Sequence, residues 1–207
     1  MRFSVPEVAF LGLALALAAP LGGTSAAAQS RGAEAPAKQA PAPPPRDRNQ
    51  DIDFLFGALK AAPDAASAKL VENRIMALWA ASGSDTADLL MSRVKPAMEG
   101  QDLDLAIKLL DAIVDLQPTY AEAWNRRATI HFLKKDYGQA LTDIRQVLAR
   151  EPRHFGAIAG LGMIMQELGE EKRALEAFRR ALDLNPHLQK IPDLVKGLTD
   201  KVDGRDI

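Results

Sequence analysis

Apolar and polar positions recur along this chain with a period of 34 residues, marked by Pro118, Pro152 and Pro186. Fixed offsets upstream of each proline carry small or apolar residues. Aligned in threes, they are Ala106, Ala140 and Ala174; Leu110, Ile144 and Phe178; Ile113, Val147 and Ala181; Leu90, Trp124 and Ile158; and Val94, Ala128 and Gly162. Because these positions follow helical spacing, each period predicts two helices of roughly 14 residues.

Residues with known effects on helix ends separate these predicted helices. Asp102, Asp136 and Glu170 precede the second helix of each period, where an acid can accept free N–H groups and suits the positive end of the helix. Each proline follows a second helix, where it ends one unit and opens the next. A single unit cannot bury its apolar stripe, so we expect the units to stack into an α-solenoid.

The residues at these positions also match a known repeat. The second unit matches through Trp124, Ala128, Tyr137, Ala140, Ile144, Val147 and Pro152, and the third through Ile158, Leu161, Gly162, Ala174, Phe178, Ala181 and Pro186. The first unit matches through Leu90, Ala106, Leu110 and Pro118. The sequence therefore resembles the tetratricopeptide repeat family. The resemblance implies an all-α, right-handed solenoid of antiparallel helix pairs, with three units over residues 85–186.

Both flanks of the repeats predict further helices. Residues 51–84 form a helix pair broken at Ala62-Pro63, in which Glu72 replaces the alanine of the repeat, and we interpret them as a degenerate N-terminal unit. The apolar stripe of this pair is Val71, Ile75, Leu78 and Trp79. Residues 187–207 predict a cap helix and tail. The cap's apolar stripe is Ile191, Leu194, Val195 and Leu198, with Lys190, Asp193, Lys196 and Asp200 outside it.

One proline interrupts the pattern of the first unit. Pro96 lies deep in its first predicted helix, where proline removes a hydrogen bond and clashes with the carbonyl of Ser92. We expect a kink near Ser92 or an early end to that helix.

The first 28 residues have the pattern of a secretory signal peptide. Arg2 supplies a positive start, Val8 to Leu21 is an apolar run of 14 residues, and Ala26-Ala27-Ala28 offers small residues for cleavage after Ala28. The run is shorter than the about 20 residues that a membrane-spanning helix needs. Residues 29–50 predict a disordered linker rich in proline and alanine. We therefore expect a periplasmic or secreted protein, with membrane contact only if the signal peptide stays uncleaved.

Composition and motifs argue against an enzyme. There is no cysteine, and 26 Lys and Arg balance 27 Asp and Glu, so thiolate chemistry is excluded and nucleic acid is not an expected partner. His131 lies on a helix face, while His154 and His187 lie in turns where we expect packing or solvation. We find no nucleophile elbow or phosphate loop. We therefore expect no catalysis, metal, cofactor or small-molecule substrate.

The resemblance implies that the first helix of each unit lines a concave groove. On these helices Phe132 and Met163 offer apolar anchors, whereas Asn125 and Arg126 can hydrogen-bond a partner. Glu122 and Glu167 limit the positive charge there. The predicted groove residues are Met91, Lys95, Asn125, Arg126, Thr129, Phe132, Ala159, Met163 and Gln166.

A specific subclass of the family grips a C-terminal carboxylate with lysine, asparagine and arginine at set positions. Several of those positions here are Met91, Asn125, Gly156 and Gly160. Only Lys95 and Arg126 are basic nearby. The resemblance to this carboxylate-clamp subclass is therefore poor, and binding of chaperone tails is not predicted.

Two residues of the second unit receive structural interpretations. Arg127 stands where the family packs leucine, as does Arg93 one period earlier, and arginine can lay its stem along an apolar surface while its head reaches a carboxylate. The candidate acids are Asp111, Asp115 and Asp143. Trp124 is predicted to be a core residue between the helices of its unit.

These observations predict a protein–protein interaction module, a periplasmic adaptor or assembly factor that binds another protein or peptide segment in its groove. The alternative is a self-associating scaffold of the cell envelope, a homo-oligomer, which sedimentation or light scattering would distinguish. Binding through the convex face, around Lys108 and Arg145, also stays open.

Overall fold

The computed structural model describes residues 48–204, so the predicted signal peptide and most of the predicted linker lie outside the described residues. Within 48–204 the chain forms nine α-helices and no strand. They are α1 (Arg48–Lys60), α2 (Ala65–Ala80), α3 (Asp85–Glu99), α4 (Leu103–Leu116), α5 (Ala121–Leu133), α6 (Tyr137–Arg150), α7 (Phe155–Glu167), α8 (Glu171–Leu184) and α9 (Ile191–Asp203). Helix α1 begins at Arg48, three residues before the predicted boundary at residue 51.

Helices α3 to α8 form three helix pairs, here called unit 1 (α3 and α4), unit 2 (α5 and α6) and unit 3 (α7 and α8). Each helix packs against the next along the chain. Two sets of aligned positions of the 34-residue period are fully buried: Ala106, Ala140 and Ala174 are 0% exposed, and so are Ile113, Val147 and Ala181. The predicted all-α repeat fold is confirmed.

Close packing within each unit depends on a matched pair of residues from its two helices. Unit 1 pairs Val94 with Leu110 and unit 2 pairs Ala128 with Ile144; all four are buried. Unit 3 pairs Gly162 with Phe178, and a Cβ on Gly162 would lie 2.5 Å from the Phe178 ring. The larger side chain on α8 therefore requires the smallest residue on α7.

The helix ends follow the predicted acids in two units. The Asp102 carboxylate accepts from the Leu105 N–H at 3.0 Å, and the Asp136 carboxylate accepts from the Gln139 N–H at 3.2 Å. Glu170 occupies the same position before α8 but makes no capping hydrogen bond through its side chain. The capping prediction is therefore correct for α4 and α6, and wrong for α8.

A left-handed residue closes the turn between the two helices of every unit. Gln101, Lys135 and Gly169 stand 34 residues apart in this turn, with φ values of 60°, 61° and 77°. Only unit 3 uses glycine, the residue that adopts this conformation without steric cost. Units 1 and 2 hold a side chain in an unfavourable conformation.

Pro96 does not end α3 early, because the helix runs to Glu99. The backbone N–H of Gly100 donates to the Pro96 carbonyl at 2.9 Å and so continues the helical hydrogen bonding beyond the proline. Pro96 lies in the last turn, where little helix remains to be disrupted.

The N-terminal pair, α1 and α2, forms as predicted but does not extend the repeat as an end unit. Its core joins Phe56, Leu59, Ile75 and Trp79 to Phe155 at the start of α7. Leu184 and Leu188 from the end of unit 3 also pack against this core, and among residues 48–204 no residue of α3 belongs to it. The pair thus folds back onto the start of α7 and the end of α8, and its α2 also contacts α5 in unit 2.

Polar contacts fix the N-terminal pair to all three turns that follow the second helices. The Tyr120 hydroxyl donates to the Ala80 carbonyl at 2.7 Å, and burial raises the pKa of Tyr120 to about 12. Arg153 forms an ion pair with Asp53 at 2.6 Å. The Asn185 amide donates to the Glu72 carboxylate at 2.9 Å. Glu72, the departure from the repeat pattern, is therefore used to hold unit 3.

Helix α9 covers the far side of α8, as predicted for the cap. Ile191 and Leu198 are buried, and Leu194 and Val195 are partly buried against α8. The predicted outer residues are all exposed; they are Lys190, Asp193, Lys196 and Asp200.

Trp124 is only partly buried, so its prediction as a core residue is wrong. Its indole N–H donates to the Pro118 carbonyl at 2.9 Å. The guanidinium groups of Arg127 and Arg150 lie 4.7 and 5.2 Å from its ring, which is within the range of cation–π attraction. The buried face of α5 instead carries residues such as Ile130, which is 0% exposed.

Arg127 has the structural role predicted for it. Its Nε and Nη2 atoms donate to the two oxygens of Asp143 at 2.9 and 2.7 Å, and its Nη1 atom donates to Asp111 at 2.7 Å. Asp143 is 1% exposed. Hydrogen bonds to these carboxylates raise the pKa of Arg127. The buried Asp143 carboxylate therefore depends on Arg127 for its neutralisation.

Candidate binding groove

The first helices of units 2 and 3 enclose a surface pocket of about 170 Å³ between α5 and α7. Five of the nine predicted groove residues line it: Asn125, Thr129, Phe132, Ala159 and Met163. The remaining lining residues are Ala128, Ile144, Gly156, Ala157, Gly160 and Ile164. The pocket is therefore mostly apolar, with polar groups at Asn125 and Thr129.

The other four predicted residues lie outside this pocket. Met91 is partly buried against the core of unit 1. Lys95 is exposed and lies 3.6 Å from Glu99, one turn away on α3. Gln166 is exposed near the end of α7. Arg126 lies beside the pocket, next to Asn125 in the chain.

The two predicted apolar anchors, Phe132 and Met163, differ in how much of each side chain packs against the rest of the fold. Met163 is 39% exposed. Phe132 is partly buried and its ring lies 5.9 Å from that of Tyr137, at an angle of 48°. Phe132 therefore supports the packing of unit 2 as well as the pocket wall. Met163 is the anchor that can be changed with less damage to the fold.

A buried carboxylate at the start of α5 holds the polar residues of the groove. Glu122 is 4% exposed. Its Oε2 atom accepts from the Asn125 amide at 3.1 Å, and its Oε1 atom lies 2.9 Å from Arg126 Nε. The sequence interpretation placed Glu122 on the groove surface, and the structure places it beneath. It fixes the directions of Asn125 and Arg126.

His154 completes the surroundings of Glu122. Its Nδ1 atom accepts from the Ala157 N–H at 3.1 Å, so the ring proton lies on Nε2. That Nε2 atom is 3.5 Å from Glu122 Oε2. Burial by itself raises the pKa of Glu122, but His154, Arg126 and Asn125 together outweigh burial and hold this pKa below its ordinary value. Glu122 is therefore ionised at neutral pH.

The same histidine links the groove to the N-terminal pair. His154 is 0% exposed, so packing is the outcome of the two, packing or solvation, that its position in a turn predicted. Its ring stacks on the Trp79 indole, with centroids 4.2 Å apart and planes 14° apart. The indole N–H donates to Glu151 at 3.2 Å. A signal was present in the sequence, since Trp79 is one of only two tryptophans in the chain, but the sequence does not show that they meet.

Two further observations concern chemistry and membranes. Among residues 48–204, no three His, Asp or Glu side chains are placed so that they could hold a metal ion. In the same part of the chain, none of the helices is both long enough and apolar enough to cross a bilayer.

Comparison with known proteins agrees with the helix pairs and their period. A model of the tetratricopeptide repeat family matches residues 93–143 and 135–188. A TPR repeat-containing protein from Rhizobium etli is 39% identical over 155 residues, which cover 75% of this chain and 76% of that protein. The chain belongs to the tetratricopeptide repeat family. Tetratricopeptide repeat domains generally mediate protein–protein interaction and peptide binding, and are generally not enzymes.

Solved tetratricopeptide repeat domains share the fold. The first such domain of Spaghetti (RPAP3), bound to the HSP90 peptide SRMEEVD, superimposes with a TM-score of 0.55 at 19% identity, covering 58% of this chain and 95% of that one. The TPR2B domain of yeast Sti1, in a pHsp70 complex, has a TM-score of 0.53 at 18% identity and covers 57% of this chain and 99% of that one. At these identities the likeness shows the fold alone.

Proposed function

We propose that this protein holds a segment of another protein in the groove between α5 and α7, acting as an adaptor or assembly factor. The observation that carries the proposal is the pocket that brings Asn125, Thr129, Phe132, Ala159 and Met163 together. Apolar anchors in a pocket usually supply most of the energy at an interface. The peptide complexes of the two solved relatives support a peptide as the class of ligand.

The polar side chains of the groove are preorganised for binding a peptide. The Nε atom of Arg126 lies 2.9 Å from the buried Glu122 carboxylate, and this ion pair restrains the direction of the guanidinium group. Asn125 gives its amide N–H to Glu122, so its carbonyl oxygen can accept from a partner's N–H. Side chains fixed in advance lose less entropy on binding.

The ligand differs from the chaperone tails bound by carboxylate-clamp domains. Gly156 and Gly160 replace side chains at clamp positions on α7 and form part of an apolar pocket instead. The proposal is therefore an internal segment, extended or helical, bound with a dissociation constant on the order of micromolar.

Export is the second part of the proposal. The pattern of residues 1–28 supports passage out of the cytoplasm, so the adaptor would work in the periplasm or outside the cell. Mass spectrometry of the exported protein tests this part. A mature chain that begins near Gln29 supports it, whereas an intact Met1 in a membrane pellet contradicts it.

A random peptide library displayed on phage and selected on the purified chain tests the groove. Synthetic copies of the selected peptides are titrated against Arg126→Ala and Met163→Ala, with Lys108→Ala and Arg145→Ala as matched controls on exposed positions of the second helices. We expect each groove substitution to weaken binding at least tenfold. Met163→Ala should leave the melting temperature nearly unchanged, whereas Arg126→Ala should lower it, because the buried Glu122 carboxylate loses an ion-pair partner. Binding that survives both groove changes but is lost in the two controls would place the site on the convex face.

A further inference from the structure

Between α5 and α7 the pocket contains a feature that we call the glycine slot, formed by Gly156, Gly160, Ala128, Ala159 and Ile144. Gly156 and Gly160 lie one turn apart on α7 and both line the pocket. Because neither has a side chain, the pocket extends between the helices to Ile144, which is 4% exposed.

The slot is specific to unit 3. The residues one period before Gly156 and Gly160 are Glu122 and Arg126. In unit 2 these two positions carry long side chains that form an ion pair at 2.9 Å. The same face of the repeat is therefore filled on α5 and open on α7.

Packing does not explain the glycine at position 160. A Cβ there would lie 3.7 Å from Ile144 Cδ1, which is ordinary van der Waals contact. Gly162 on the same helix is different, because a Cβ at that position would clash with Phe178 at 2.5 Å. A glycine inside a helix lowers its stability relative to alanine. Gly160 is not needed for close helix packing, but its missing side chain keeps the slot open.

The size of the slot indicates what enters it. Small-molecule sites enclose about 300–1,000 Å³, whereas this pocket holds about 170 Å³. The Thr129 hydroxyl already donates to the backbone carbonyl of Asn125 at 3.0 Å, so this hydroxyl has no free proton to donate to a ligand in the pocket. Met163 at the rim is unbranched and adapts to irregular shapes. The volume suits one large apolar side chain and the lining excludes a charged one.

We propose that the partner segment inserts one large apolar side chain, of the class of Leu, Met or Phe, into the glycine slot, and that this side chain determines which segments the groove accepts. This rests on the proposed function, because it presumes that a peptide lies in the groove. The polar backbone of the segment then faces Asn125 and Arg126 at the rim.

The test fills the slot. Peptides selected from the phage library are titrated against Gly160→Leu and Gly160→Ala, with Gly197→Leu as the control for adding a side chain to an exposed helical glycine, since a Cβ at Gly197 would meet nothing within 4 Å. We expect Gly160→Leu to lower affinity by at least tenfold without lowering the melting temperature. Gly160→Ala should lower the affinity less than Gly160→Leu does, and Gly197→Leu should leave the affinity unchanged. In each peptide, changing one apolar residue to Ala should cause a comparable loss.

The outcomes separate this inference from the proposed function. If Arg126→Ala and Met163→Ala weaken binding while Gly160→Leu does not, the slot is refuted and the groove stands. If none of the three changes binding, both proposals fail. Should Gly160→Leu not fold, Gly160→Ala decides, because its Cβ has room: unchanged affinity overturns the slot. Selected peptides without a common large apolar residue would overturn it too.

Discussion

Units 2 and 3 have the same backbone register but fill it with different chemistry. In unit 2, Arg127 joins Asp111 to the buried Asp143. The residues one period after Arg127 and Asp143 are the apolar Leu161 and Ala177 in unit 3. They line a surface pocket of about 400 Å³ together with Ile158, Met165, Arg173, Glu176 and Arg180. The same pair of positions in the repeat thus accommodates charged residues in unit 2 and apolar residues in unit 3.

This difference indicates how each unit responds to change. A buried ion pair gives little more stability than well-packed apolar residues of similar size, but it fails badly when one partner is lost. An apolar contact loses stability in proportion to the volume removed. Unit 2 should therefore be sensitive to single substitutions that a paired substitution repairs.

The largest expected effect is the loss of Arg127. Arg127→Ala leaves the Asp143 carboxylate, 1% exposed, without its bidentate partner, and we expect a destabilisation of about 3 kcal/mol. Urea unfolding measures it. The paired change Arg127→Leu with Asp143→Ala copies unit 3 and should recover most of the loss. A double variant no more stable than Arg127→Ala would show that the two units are not interchangeable at this position.

The second prediction exchanges the matched small and large residues of the two units. Gly162→Ala in unit 3 forces a Cβ against the Phe178 ring, and overpacking of this kind costs about 1–3 kcal/mol, partly offset by better helix propensity. Adding Phe178→Ile copies the Ala128 and Ile144 pair of unit 2. We expect the double variant to be more stable than the sum of its two single variants by about 0.5–3 kcal/mol, measured by a double-mutant cycle. Simple additivity would contradict the matched packing.

The third prediction concerns acid, because unit 2 has Glu122 where unit 3 has Gly156. The pKa of Glu122 is lower in the folded protein than its ordinary value of 4.5. Its contribution to stability is therefore complete above that value and is lost as the pH falls through the lowered pKa. Glu122→Gln should melt lower than wild type at neutral pH, and this gap should narrow in acid. Thermal melts across the acid range measure the gap, and a constant gap would contradict the prediction.

The smallest expected effect lies in the turns. Lys135 has φ 61° where unit 3 has Gly169 at φ 77°, and a side chain in this region costs about 1–2 kcal/mol. Lys135→Gly should therefore raise stability by about 1 kcal/mol or somewhat less, while Gly169→Ala should lower it by a similar amount. Differential scanning calorimetry checks both variants, and a lower melting temperature for Lys135→Gly would contradict the argument.

The repeats could be predicted from the sequence because their contacts recur at a fixed spacing. Ala140 and Val147 face the core for the same reason as Ala174 and Ala181, so one register determined the buried faces of both α6 and α8. Trp124 shows where this reasoning stops. Trp124 stands one period before Ile158, which is 1% exposed. The Trp124 ring instead lies beneath the guanidinium groups of Arg127 and Arg150, and the period of the repeat does not show that unit 2 carries arginines at these positions.

The position of the N-terminal pair could not be predicted in this way. Trp79 fits the apolar stripe of a repeat unit, and nothing in the spacing distinguishes a stacked pair from one folded back onto unit 3. The contact between α2 and the start of α7 includes the stack of Trp79 on His154. The sequence predicts only that His154 lies in a turn. Glu122 was misplaced for a related reason, because its carboxylate lies 3.5 Å from the buried ring of His154, a contact that the spacing does not show.

The fold-back of the N-terminal pair changes how this solenoid should unfold. Contacts in a simple repeat array join only neighbours, so units can open one at a time from the ends. Here hydrogen bonds span 72 residues from Trp79 to Glu151, 100 from Asp53 to Arg153 and 113 from Glu72 to Asn185. Glu151 and Arg153 lie in the turn before α7 and Asn185 directly follows α8, so these bonds join both ends of unit 3 to the N-terminal pair. Amide hydrogens of α2 and α7 should therefore exchange together in one cooperative event, and folding should be slower than in an open array because these long loops must close.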